Sequence, residues 1–573
     1  MGLAQVLHDF ANWSTVCGVP HIANARTKAW RIFWSVVFIG MVSMFIYQLY
    51  TMIVKFISFP TNVNTEIFFE EQDFPVVTVC NSNPYKYSVI ANDSNLASIV
   101  NLMEVYKEAV TKSLASDDAY GFFEIMNTES EGNVSSNEYQ IDQLAWEALA
   151  LEAAQLGEQQ LAPALYTFED LITDCTFSGK KCSAADFTRV YDPIYGACYS
   201  FNEDASLRYS TNRAGMKFGL KLLITVSQYT TSLEKDFLPT TKMAGARVSI
   251  QPRGIHPALD NNGINVGVGH QTAISLTSTR TRRMKEPYGK CVDNDPTGTS
   301  PYKTGYTLET CFYNCRQRET MKQCNCANPR FKKFDSQQWC LPRKTDSANA
   351  QTQMQFENQN FPVKCLKSLR GDQSSATPNI CPLNDCSCGP PCSEISYLTT
   401  ASILKFPAEG YFVATNPMQG VAGSCDNQNP TFNKDQRKCR DWYAENALLL
   451  QVFFETLKYE SYTEVPNYGI SAVLNDLGGQ AGLWLGFSVI SVIEVCALII
   501  MLGLFCVTCG KLKVRPDDGE LEEDERIKDV EEVKKELDEA DKHDKIMNDD
   551  ESDDDDDFDD GIRDNNNEKQ PKP

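Results

Sequence analysis

The chain has 573 residues, of which 42% are hydrophobic, an ordinary share for a folded protein that names no function. Its formal charge of -23 is concentrated at one end: from Pro516 to Pro573 there are 27 acidic and 9 basic residues, 18 of the 23 net negative charges. No basic surface of the density that phosphate backbones demand is left, which excludes nucleic acid as a partner. No nucleophile, base and orienting group form a recognisable arrangement either, so an enzyme is not expected.

The first predicted element is Ala29 to Phe56, AWRIFWSVVFIGMVSMFIYQLYTMIVKF, with no charge between Arg31 and Lys55. It exceeds the ~20 residues a spanning helix needs. Its length, its late start and the lack of a small-residue cleavage site set it apart from a signal peptide. A second apolar run, Leu477 to Val507, carries one ionisable residue, Glu494. Arg26, Lys28 and Arg31 precede the first run, and Lys511, Lys513 and Arg515 follow the second, so the positive-inside bias puts both termini in the cytoplasm of a multi-pass plasma-membrane protein. The expected organisation is a cytoplasmic N-terminus over 1–28, transmembrane helix 1 over 29–56, an extracellular domain over 57–468, transmembrane helix 2 with a pore over 469–508, and an acidic tail over 509–573. That tail is too charged to bury a core and reads as largely disordered.

Between the spans, runs of β-branched and aromatic residues read as strands: Phe74 to Val79, Lys217 to Val226, Ala246 to Ile250 and Leu450 to Phe454. Helical patterns cover Asn101 to Leu114, Glu138 to Gln155 and Leu308 to Lys322, giving an α+β membrane protein with a large disulfide-rich extracellular domain. Glu124, Glu129 and Glu131, and Glu147 and Glu152 on the second of these helices, read as solvated faces. Of the 21 cysteines, 17 lie between Cys80 and Cys439. Their short spacings, such as Cys311-x3-Cys315 and Cys386-x-Cys388-x3-Cys392, suit zinc as well as disulfides, and the extracellular setting favours disulfides and no metal. Asn92 and Asn133 head N-x-S sequons, candidate glycosylation sites. Arg280-Thr281-Arg282-Arg283 matches a furin-type site beside an expected strand.

The second span is more than an anchor. Gly478, Gly479, Gly482 and Gly486 allow close backbone approach, and Ser488 and Ser491 bring hydroxyls that can replace water around an ion. A carboxylate at the depth of Glu494 is costly unless it faces water, a partner or an ion path. Beyond it, Leu521 to Leu537 fits a short helix with Ile527, Val530, Val533 and Leu537 on one side.

Several motifs resemble, in order, those of the degenerin, epithelial sodium channel and acid-sensing ion channel family over most of residues 10 to 508. They are Phe74-Pro75-Val76-Val77-Thr78-Val79-Cys80-Asn81, Tyr195-Gly196-x-Cys198-Tyr199-x-Phe201-Asn202, Pro287-Tyr288-Gly289-x-Cys291, Cys386-x-Cys388-Gly389-Pro390-Pro391-Cys392 and Leu477-Gly478-Gly479-Gln480-x-Gly482-Leu483. Gly486-Phe487-Ser488 stands at the family's selectivity motif. The resemblance implies a homotrimer, or a heterotrimer with related subunits, in membrane lipid, with a fist-like ectodomain of palm, thumb, finger and knuckle. It implies no cofactor, Na+ as the permeant ion and amiloride as blocker.

By position, the resemblance implies disulfides Cys80–Cys198, Cys175–Cys182, Cys291–Cys392, Cys311–Cys388, Cys315–Cys386, Cys324–Cys365 and Cys326–Cys340, with Cys425–Cys439 a plausible further pair and Cys381 left over. It gives Asn475, Asp476, Gly479, Leu483 and Glu494 pore and gate roles, and Cys17, Gly18 and Tyr288 a part in coupling movement to the gate. Three departures stand out: Cys17-Gly18 replaces a His-Gly pair, Asn475 occupies a position where a small residue is usual, and Phe487 is the middle residue of the selectivity motif. The long insertion from Lys344 to Pro382 is more like invertebrate members, some of which open to amidated neuropeptides. A peptide-gated sodium channel is the expectation, with proton-gated or constitutively open channels, or a two-span adhesion or receptor protein, as alternatives.

Overall fold

The computed structural model describes residues 10–12, 14–112, 120–122, 134–229, 234–295, 299–302, 304–340, 386–410, 436–507, 530 and 532–539. The chain divides into two compact units, one of Met1–Val54 with Ile470–Pro573 and the other of Lys55–Gly469. The principal strands are β1 (Thr61–Phe69), β2 (Val76–Asn81), β3 (Ile172–Phe177), β4 (Phe187–Asp192), β5 (Gly196–Phe201), β6 (Leu220–Thr225), β7 (Gly245–Gln251), β8 (Ile264–Gly267), β9 (His270–Arg282), β10 (Ser393–Lys405) and β11 (Ala447–Pro466). The principal helices are α1 (Lys28–Ile57), α2 (Ala97–Val110), α3 (Val134–Leu161), α4 (Leu308–Cys324), α5 (Ile470–Leu485) and α6 (Val489–Val507).

Two sheets build the larger unit. One runs β10-β9-β11-β6-β3 and ends on the short strand Lys180–Lys181, with β1 added along the second half of β11; the other runs β8-β7-β2-β5-β4. Both feed one core. Leu448, Leu450, Val452 and Phe454 alternate inward along β11, while β2 is buried on both faces as befits a central strand. Phe74 sits where the sheets meet, 5.0 Å from Phe177, 6.1 Å from Phe201 and 6.1 Å from Phe454, all edge-on. Such aromatic pairs add about 0.5–1.5 kcal/mol each beyond the area they bury.

The expected strands and helices are present with shifted ends, for local reasons. The strand expected from Phe74, β2, starts at Val76 because Pro75 has no N–H to offer a ladder. The run from Lys217 begins as a single turn, Met216–Phe218, and Gly219 follows where a Cβ would stand 2.1 Å from the Val452 carbonyl oxygen. The strand expected over Leu450 to Phe454 extends to Pro466, because its polar second half is held by pairing with β1 on one side and β9 on the other. Helix α3 is longer than its pattern indicated and breaks at Gly157. Glu147 and Glu152 on it are buried rather than solvated, and Tyr120 donates a 2.9 Å hydrogen bond to Glu152. Glu124, Glu129, Glu131 and the Lys344 to Pro382 insertion lie outside the described residues, as does Ile527, while residues 532–539 are helical.

Six disulfides join described cysteines. Cys80–Cys198 ties β2 to β5 at a directly paired position, Cys175–Cys182 closes the end of β3, and Cys326–Cys340 closes a loop after α4. Cys311 and Cys315, one turn apart on the buried side of α4, bond to Cys388 and Cys386, and Cys291 bonds to Cys392. Each of the two helix staples closes a loop of more than 70 residues, for which chain entropy alone gives about 4 kcal/mol, the second adding less because the loops overlap. Cys324 and Cys439 are also disulfide-bonded; Cys365, Cys381 and Cys425 lie outside the described residues. Asn92 is exposed at the end of a short helix, its side-chain amide donating to the Ser88 carbonyl, and Asn133 is outside the described residues. Arg280 and Arg282 lie within β9, paired on one side to β10 and on the other to β11, so the furin-type sequence is not a free extended loop.

His256, in the loop after β7, packs against Tyr302 with ring centres 4.9 Å apart and planes tilted by 58°. Burial, with Lys332 nearby as the second cause, lowers its pKa from 6.5 to about 4. The unfolded chain therefore takes up this proton first as the pH falls, and stability is lost between about pH 6.5 and pH 4 and is level below. Replacing His256 with Phe is expected to remove up to about 3 kcal/mol of acid destabilisation over that window, read as a smaller fall in unfolding temperature between pH 7 and pH 4; an unchanged difference would contradict it.

Candidate functional site

In the smaller unit, α1 is long and apolar enough to cross a membrane. The second apolar run does not continue as one helix, contrary to expectation. It is α5 and α6, bent by 78° across Gly486-Phe487-Ser488. The bend has a local cause. Gly486 adopts φ 63°, open to glycine and strained for other residues. Its N–H still bonds the Gly482 carbonyl at 3.1 Å, and that of Phe487 reaches back to Ala481 at 3.1 Å, so the turn unwinds without losing its partners. Ser488 then caps α6: its hydroxyl accepts from the Ser491 N–H at 3.4 Å, and the Ser491 hydroxyl accepts from the Ser488 N–H at 3.1 Å.

The N-terminal segment packs against this break. The Cys17 N–H donates to the last carbonyl of α5, Leu485, at 2.9 Å. A Cβ on Gly486 would stand 2.3 Å from the Cys17 sulfur, so the close approach needs glycine twice over. Gly18, at φ 95°, turns the chain into a short helix, Val19–Ala23, and a Cβ there would meet the Phe38 ring at 2.9 Å. Two residues before Cys17, Thr15 donates its backbone N–H and its hydroxyl to Glu494 Oε2, both at 3.0 Å. The same hydroxyl oxygen lies 2.6 Å from that of Ser491. Glu494 and Ser491 are buried, and charge-assisted bonds of this kind contribute about 1.5–3 kcal/mol each. A continuous polar chain thus runs Glu494, Thr15, Ser491, Ser488.

On α5, Asn475, Gly479 and Leu483 follow one another at four-residue spacing and are exposed, as are Asp476 and Ser488. Trp484 on α5 donates its indole N–H to Gln48 of α1 at 2.7 Å. Tyr288 belongs to the larger unit, packed edge-on against Phe59 at 5.2 Å. The sequence-predicted residues Cys17, Gly18, Gly486, Ser488 and Glu494 are therefore brought together; Asn475, Asp476 and Tyr288 are not part of that cluster. Thr15 escaped sequence reasoning, its one signal being the Ser14-Thr15 pair one residue before Cys17-Gly18.

Similarities to known proteins span the whole of this arrangement. The profile of the family described as "Amiloride-sensitive sodium channel" matches residues 10–498. "Degenerin-like protein asic-2" of Caenorhabditis elegans is 50% identical over 542 residues, 94% of each chain. "Degenerin del-1" and "Degenerin deg-1" of the same organism are 31% and 30% identical over 63% and 69% of this chain, which covers 49% and 46% of their own lengths.

If Thr15 holds Glu494, the two are energetically coupled. In a double-mutant cycle of Thr15→Val and Glu494→Gln, measured by thermal unfolding of the purified chain, we expect a coupling of about 1–3 kcal/mol; strictly additive losses would refute the contact.

Proposed function

The chain belongs to the amiloride-sensitive sodium channel family, whose members are ion channels and not enzymes, and from that premise we propose that it is a subunit of a sodium-selective channel in the plasma membrane. In this reading α1 and the α5–α6 pair each cross the bilayer, both termini are cytoplasmic and the larger unit is extracellular. Three copies, alike or with related subunits, gather their α5–α6 segments around an axis. The exposed stripe of Asn475, Gly479 and Leu483 then faces the outer pore with Asp476 near its mouth.

One observation carries the proposal: the second apolar run is interrupted at Gly486-Phe487-Ser488, which brings a backbone turn and a serine hydroxyl into an otherwise apolar stretch. Three such breaks form a ring of backbone carbonyls and serine hydroxyls, able to replace the hydration of a small cation. Three Glu494 carboxylates favour cations below it. The Thr15 bonds fix each carboxylate, so the cytoplasmic segment through Cys17 and Gly18 sets the width of the ring. Na+ is the permeant ion, amiloride the blocker and no cofactor is needed.

Activation by an extracellular peptide is the gating we favour, supported by the insertion from Lys344 to Pro382 and its resemblance to invertebrate members. Amidated peptides, then pH steps, applied to cells expressing the chain separate the options. Current on peptide alone supports this gating, and current only on acidification, or without either stimulus, refutes it.

Substituting Ser488 with Ala is expected to lower the sodium-to-potassium permeability ratio several-fold, seen as a shift of reversal potential in mixed-cation recordings. An unchanged reversal potential would remove Ser488 from the filter, and the absence of any ionic current would favour the adhesion or receptor alternative.

A further inference from the structure

A cavity of about 760 Å³ opens in the larger unit between the loop after β7, the start of α4 and the first half of β10. Ligand pockets commonly run from about 300 to 1,000 Å³ with mostly apolar walls and a few placed polar groups. Here the apolar part of the lining includes Ile255, Leu308, Pro390, Pro391 and the ring of Tyr397, and polar groups make up a comparable share. Four charged side chains line the cavity, and three already have ion-pair or hydrogen-bond partners. Arg283 is paired with Glu394 at 2.7 Å and donates to the Pro391 carbonyl at 2.9 Å. Arg253 donates to the backbone and side-chain oxygens of Asn202, and its charge acts on Glu203, which is not part of the lining.

Glu309 is the remaining charge. It is partly buried, in the first turn of α4, and has no ion pair or hydrogen bond with its side chain among the described residues. Its position in the first turn suits the helix dipole, yet that leaves both carboxylate oxygens free to accept. The imidazole of His256, kept neutral by burial, and the Tyr397 hydroxyl line the same cavity without a hydrogen-bond partner among the described residues. An anion would meet two occupied arginines and an unmatched carboxylate. A purely apolar guest would bury that carboxylate without compensation, which disfavours it.

We propose that this cavity binds an organic ammonium ion with an apolar body, its charge on Glu309 and its body against Leu308, Pro390 and Pro391. The site is separate from the pore residues and independent of the channel reading. Phenethylammonium is the probe, titrated by saturation-transfer NMR against the purified full-length chain in detergent at neutral pH, with 3-phenylpropionate and 2-phenylethanol as the anionic and neutral comparators. The ammonium is expected to bind about tenfold more tightly than either comparator, and Glu309→Gln to weaken it about tenfold while leaving the alcohol unchanged. Glu319→Gln, on the same helix but outside the cavity, controls for a general loss of charge and is expected to leave affinity intact. Equal binding of the three probes, no binding of the ammonium, or an unaltered affinity in Glu309→Gln would each overturn the proposal. Because no current is measured, a chain that conducts but fails this test loses only the ammonium site, and one that binds but never conducts loses only the channel reading.

Discussion

A backbone conformation open to one residue type governs the smaller unit. Gly486, at φ 63° and with the Cys17 sulfur where a side chain would begin, lets an apolar run bend by 78° instead of continuing as a single helix. Breaking a helix among apolar neighbours is costly unless the freed groups find partners. The partners are local: Gly482 and Ala481 take the N–H groups of the turn, Ser488 and Ser491 cap the start of α6, and the Cys17 N–H takes the last carbonyl of α5. The N-terminal segment is therefore part of the break, and the buried Glu494 is held by that same segment through Thr15.

The larger unit solves a different problem. Its core joins two sheets around Phe74, and the long strand β11 carries that core at one end and pairs with β1 at the other, three residues before α5 begins. Helix α4 has little apolar surface of its own, so its position relies on the covalent bonds of Cys311 and Cys315 more than on hydrophobic burial. Disulfides of this kind act where a peripheral element cannot bury enough to hold itself.

Much of this was legible in the sequence for simple reasons. Runs of β-branched and aromatic residues revealed β2, β6, β7 and the first half of β11, and helix-forming stretches revealed α2, α3 and α4. The features that stayed hidden are held by partners rather than by pattern. The polar half of β11 exists because β1 and β9 pair with it. Glu147 and Glu152 look like a solvated face until Tyr120 and the packing around α3 bury them. The second apolar run reads as one helix because hydropathy does not register a single left-handed glycine. Thr15 was invisible because its role depends on Glu494, 479 positions away. The residue types at the break were recognisable by resemblance, whereas their hydrogen bonds to the N-terminal segment were not.

The central claim is that the broken helix pair lines a path for sodium, and radioactive sodium uptake into vesicles reconstituted with only this purified chain tests it most directly. The account predicts uptake well above that of protein-free vesicles and in preference to potassium. Uptake at the protein-free level with peptide, with acid and with neither would contradict it.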